Sequence, residues 1–257
     1  MTTAVPYRVT TSRVLRSEWH KFWTLRSTWI TLAVASALVL AVGITMGSTY
    51  DGDDSEIDTV VFVLLGTQLS QLCVAVLGIL VTASEYSTGM IRASLTAVPR
   101  RLPVLWSKAG VFAAVAFTLG LLTNVVTFLV AQIWLSDSDK ATSLTDPGVL
   151  GALAGNAAGI TLMSLIALGL GALLRSVPAA IGAFVGAVLI LPEILGMLPY
   201  DAVASAVNHF PTRSAESLGS ATHLAGAVSP AMGLLSLSLW AAAALTAAAL
   251  LLRRRDV

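Results

Sequence analysis

Five charged side chains, Glu85, Arg92, Arg100, Arg101 and Lys108, fall within the stretch SEYSTGMIRASLTAVPRRLPVLWSK (84–108), between two long apolar runs. Each charge would cost about 3 kcal/mol at the centre of a bilayer. The stretch is therefore predicted to sit in water at one membrane face. The chemistry open to it there is electrostatic: gripping a partner surface or anionic lipid, with no bond made or broken. Glu193 is a different kind of acid. It lies inside an apolar run, next to Pro192, and about 22 Å beyond Pro178 along a helix rising 1.5 Å per residue. A carboxylate within a membrane segment is a functional candidate by default. It can line an outward-facing cavity, pair with a neighbouring hydroxyl, or reach the headgroups.

Amides supply the remaining polar chemistry. Gln68 and Gln71 share a helical face with Thr67 in the second apolar run, and Asn124 lies with Thr123 and Thr127 in the third. Two readings stand. Interhelical hydrogen bonds in membranes average only about 0.6 kcal/mol and act as glue. Alternatively Gln68, Gln71, Asn124 and Glu193 line a translocation path. Enzyme chemistry has no foothold. No Lys follows a Gly, so a phosphate loop is missing, and His20, His209 and His223 form no HExxH. There is no CxxC or GxSxG. The single Cys73 lies in an apolar run and is expected as a small packing residue. No catalytic residue, metal ligand or bound cofactor is predicted for this chain.

The elements that must position these groups follow from composition. Of 257 residues, 56% are hydrophobic and 11% charged, against roughly 25% charged in soluble domains. The net charge of +1 gives no reason to expect nucleic acid. Six stretches reach the length of about 20 apolar residues that a spanning helix needs: 28–47, 59–83, 109–134, 148–174, 178–198 and 229–252. The first lacks a cleavage site and is expected to be a retained helix. Arg8, Arg13, Arg16, Lys21, Arg26, Arg92, Arg100, Arg101, Lys108, Arg175, Arg253, Arg254 and Arg255 fall on one side of the resulting topology, leaving Lys140 and Arg213 on the other. The basic side is cytoplasmic by the positive-inside rule, which places both termini there. The expectation is one all-α membrane domain over 1–257 with six transmembrane helices. The halves have opposite topology but no evident similarity, so an inverted repeat is not favoured.

Three flanking features complete the reading. Over 8–27, Leu15, Trp19, Phe22 and Trp23 fall on one helical face, and Arg13, Arg16 and His20 gather on another. That pattern suits an amphipathic helix in the membrane interface, serving as an anchor or also resting on a partner. Gly151, Gly155 and Gly159, and Gly182 and Gly186, are spaced for close helix approach, within the subunit or across a dimer. The segment 199–228 is long for a turn, and DAVASAVNHF within it is predicted to form a short helix ended by Pro211.

Within 84–108, Pro99 and Pro103 are expected to bracket a tight turn, with Gly89 permitting a bend and Lys108 at the base of the third span. The pattern Glu85, Gly89, Leu95, Pro99, Arg101 and Lys108 resembles the first cytoplasmic loop of ABC-2 type transporter permeases, with Gly89-Met90 where Gly-Thr is frequent. RSEWHKFWTLRSTW resembles that family's interface helix and LLRRRDV its usual ending, in the manner of actinobacterial members. The resemblance implies a permease subunit in a bacterial plasma membrane, working as a dimer with a second copy or paralogue. It also implies a separate ATPase subunit carrying ATP and Mg. The loop 84–108 would dock in a groove of that ATPase, with Glu85 near its base and Arg92, Arg100 and Arg101 as contacts. Short re-entrant helices at 199–228 would form an outer gate. The other readings are an ATPase-independent transporter using Glu193, Gln68 and Gln71, and a membrane anchoring or assembly protein.

Overall fold

A computed structural model describes residues 10–52, 56–90, 102–222 and 228–254. Six helices are long and apolar enough to cross a membrane, and no strand occurs among the described residues. Helix α1 (Thr11–Thr24) precedes the first long helix, α2 (Arg26–Ser48), from which it is separated only by Leu25 in extended conformation. A short α3 (Thr59–Val63) leads to α4 (Thr67–Ser87). There follow α5 (Leu102–Leu135), α6 (Val149–Leu174) and α7 (Val177–Ala183). A π-helical segment, Phe184–Ile190, joins α7 to α8 (Leu191–Gly196). Two short helices, α9 (Asp201–Val207) and α10 (Pro211–Glu216), precede α11 (Pro230–Arg254).

Helix α6 is the axis of the bundle and packs against α4, α5 and α11, while α2 lies against α4 and α5. Gly78 makes the α4–α6 crossing close, because a Cβ there would meet the Ser164 carbonyl oxygen at 2.7 Å. Asp58, Lys140 and Thr222, each from a different connection between long helices, meet at one end, the distal end. There Asp58 has two tasks. Its Oδ1 accepts from the backbone N–H groups of Val60 and Val61, capping α3, and its Oδ2 accepts from the N–H and hydroxyl of Thr222. An N-cap carboxylate satisfies helix donors that have no intrahelical partner. Lys140, only 2% exposed, donates to the Ile57 carbonyl at 2.6 Å and lies over the rings of Tyr50 and Phe62.

Several boundaries differ from those read in the sequence. The second apolar run is two helices, broken at 64–66. Pro103 sits in the first turn of α5, where its missing N–H costs nothing, and the turn expected between Pro99 and Pro103 lies largely outside the described residues. At 34 residues α5 measures about 51 Å, against about 30 Å of hydrocarbon. Pro211 begins α10, while α9 already stops at Val207. The fifth span is irregular. The Leu191 N–H reaches back to Gly186 in π register just before Pro192, which has no N–H to continue either pattern.

Candidate functional site

At the end opposite the distal loops, three helices bring four charges together. Glu18 projects from α1, Glu85 from the last turn of α4 and Lys108 from near the start of α5. Lys108 Nζ donates to Glu18 Oε2 and to Glu85 Oε1, both at 2.7 Å. Lys21, one helical turn after Glu18, donates to Glu18 Oε1 at 3.1 Å and to Glu85 Oε1 at 3.2 Å. The side chains of Glu18, Glu85 and Lys108 are 6–7% exposed, whereas that of Lys21 is 33% exposed. Among the described residues two carboxylates and two ammonium groups make the cluster neutral, the condition under which buried charge is tolerated. Glu85 Oε2 is buried and accepts no hydrogen bond among the described residues.

The local sequence explains the convergence. Val14, Glu18 and Phe22 recur every four residues and form the buried stripe of α1. Phe22 meets Phe112 of α5 edge to face. Leu15 and Trp19, on the adjacent face, stay exposed, and Trp23 stacks on Trp29 of α2. Helix α4 ends just beyond Glu85, at Gly89, whose φ of +72° stops the helix in a conformation glycine adopts without penalty. Beside Glu85, Tyr86 receives the Arg175 guanidinium on its ring at 4.9 Å, tying in the turn between α6 and α7. Arg92, Pro99, Arg100 and Arg101 lie outside the described residues.

The titration of Lys21 offers a test. Burial favours the neutral amine, but the carboxylates of Glu18 and Glu85 outweigh it and raise the ammonium above its ordinary value. A raised lysine contributes stability that is complete below its unfolded value, about 10.4, and is lost as pH climbs through the folded one. The difference in unfolding midpoint between wild type and Lys21→Met should therefore stay level from neutral pH to about pH 10 and shrink above it. A difference that persists unchanged at higher pH would show that the ammonium does not hold α1.

The polar residues of the spans divide into two groups. Gln68, Gln71 and Glu193 line one cavity of about 630 Å³ in the distal half, between α4, α8 and α10. Asn124 stands behind its wall. It is 1% exposed and donates to the Leu153 carbonyl and to Asn156 Oδ1, both at 3.1 Å. Asn156 in turn donates to Thr67 Oγ1, and Thr67 to the Leu64 carbonyl. Asn124 thus acts as glue and reaches the cavity only through Asn156. Thr123 bonds Ser36 of α2.

Glu193 is paired with a residue far along the chain. Arg213 of α10 donates to Glu193 Oε2 at 2.9 Å and to Glu216 Oε2 at 3.2 Å. The segment carrying α10 is held on α11, where Ser236 and Trp240 both donate to the His209 carbonyl. Of the spaced glycines, Gly155 and Gly159 receive the residues at and after α10, while Gly151, Gly182 and Gly186 face open space.

Glu18, Asn156, Arg213 and Glu216 were not singled out from sequence. Two had a readable signal. Glu18 occupies the apolar stripe of α1, and Asn156 is the lone amide in the apolar run of α6. Compared with models of protein families and with curated proteins, the chain matches none.

Proposed function

We propose that this chain is the transmembrane permease subunit of an ATP-driven exporter of the ABC-2 type, moved by a separate ATPase subunit. One observation carries the reading: the buried Lys108–Glu85 contact closes the base of the segment 84–108, and Glu18 of α1 is bonded to the same ammonium. A force applied to the segment would pass to α1, α4 and α5 together, since no member can move without exposing an unpaired buried charge. The unmet Glu85 Oε2 leaves an acceptor beside the loop. In this reading the loop and both termini are cytoplasmic. Arg92, Arg100 and Arg101 contact the ATPase, and ATP and Mg are held by that partner. Two permease chains form the transport unit, and α1 rests at the lipid interface with Leu15 and Trp19 outward.

The test is isolation of the full chain from its native membranes with identification of what accompanies it. An ATPase subunit should co-purify with the wild type. It should be reduced at least several-fold with the Arg100→Ala, Arg101→Ala double variant, while membrane insertion is unchanged. Undiminished capture and ATP-driven transport by the variant would remove both arginines from coupling. Absence of any ATPase with the wild type, together with transport driven by a proton gradient, would favour an ATPase-independent transporter.

A further inference from the structure

We infer that the distal cavity between α4, α8 and α10 is a binding site for an amphiphilic monovalent cation. Its volume of about 630 Å³ falls in the range of pockets that enclose small organic molecules. Its lining interleaves aliphatic side chains, among them Leu64, Leu65, Leu72, Ile160 and Leu189, with polar ones. The polar ones include the amides of Gln68 and Gln71 and the carboxylates of Glu193 and Glu216. Neither glutamine side chain is hydrogen-bonded within the protein among the described residues, so both are available to a ligand.

The charge balance selects the sign. The ionisable groups lining the cavity are the two carboxylates, with no cationic side chain in the lining among the described residues. Arg213 bonds both from outside that lining, and only through their Oε2 atoms. Among the described residues two acids against one base leave one negative charge, and Oε1 of each carboxylate accepts no hydrogen bond. Partial burial raises the Glu216 carboxyl above its ordinary value against the pull of Arg213, and the nearby Glu193 carboxylate adds a smaller push. A monocation would balance the remaining negative charge and lay its apolar part along the leucines. An anion would meet two carboxylates.

The inference rests on the transport reading in taking the occupant as the exported molecule, but occupancy itself needs no ATPase. The measurement is equilibrium binding of tetraphenylphosphonium to the full chain in nanodiscs of neutral lipid, with empty nanodiscs subtracted. Saturable binding is expected. It should weaken about tenfold in the Glu193→Gln, Glu216→Gln double variant, which removes both charges next to the ligand. Arg213→Gln, eluting as monodisperse protein, should tighten binding several-fold, a gain that damaged folding cannot produce. Tetraphenylborate, of the same size and opposite charge, should show no saturable binding. Failure of the wild type to bind tetraphenylphosphonium, equal affinity in the double variant, or equal binding of tetraphenylborate would overturn the inference. ATPase capture by the same preparation is scored separately. Its absence beside intact cation binding would count against the transport reading alone, and the reverse result against this inference alone.

Discussion

Lys108→Met should lower the free energy of unfolding by about 3–5 kcal/mol, the usual cost of removing one partner from a buried ion pair. The estimate follows from what remains. Lys108 is 6% exposed and contacts Glu18 and Glu85 at 2.7 Å each. Without it, two carboxylates share the single ammonium of Lys21, at longer distances and on a side chain one-third exposed. The cluster then carries a net negative charge on two almost wholly buried carboxylates. The substitution keeps an unbranched side chain of similar length, so lost packing is a small part of the effect. Adding Glu85→Gln should recover part of the loss, because it restores neutrality. The measurement is the midpoint of unfolding in a denaturing detergent for the two single variants and the double. Equal midpoints for wild type and Lys108→Met would mean that the cluster does not hold α1 against α4 and α5. Under the proposed function, coupling would also fail in a variant whose arginines at 100 and 101 are intact.

Gly155→Val should detach the segment around α10 from α6. A Cβ at this position would fall well inside contact distance of the Leu218 carbonyl oxygen, which is main chain and has no rotamer by which to retreat. Overpacking costs about 1–3 kcal/mol and more where backbone must move. The displaced segment carries Ala215, Glu216 and Gly219, three residues of the cavity wall, so the cavity should open as well. Protease cleavage between α9 and α11 should become faster. The control is Gly151→Ala, one turn earlier on the same helix, where a Cβ meets nothing within 4 Å. There the change should be neutral or stabilising by up to about 1 kcal/mol, since alanine is the better helix former. Similar cleavage rates for the two variants would show that the α10 segment does not pack on Gly155. Both residues belong to one spaced-glycine pattern, and only their neighbours in space separate them.

That contrast marks the boundary between what was legible and what was not. The six long helices follow from apolar length alone, because an unpaired backbone in lipid is so costly that a sufficiently long apolar run has no alternative to helix. Residue type and spacing mark Glu85 and Lys108 as charges of one loop and Gln68, Gln71 and Glu193 as one polar set, whereas a coupling pattern containing Glu85 and Lys108 rests on the resemblance and their pairing is visible only in the structure. Asn124 was grouped with them on polarity, yet it bonds Leu153 and Asn156 behind the wall. Its side chain satisfies a neighbouring helix, and periodicity within α5 does not say which helix that is.

Residue order determined that this chain has six membrane-length helices, a charged segment after the second, and polar groups on particular helical faces. The tertiary structure decided the partners. It brought Glu18 to Lys108 and Arg213 to Glu193, pairs separated by 90 and 20 residues. It also made one glycine of a repeat a contact and another a vacancy. The physical reason is range. Hydrophobic length and helical phase act within a few turns and can be summed along the chain, whereas a charge is paired only where packing places a partner within about 3 Å of it.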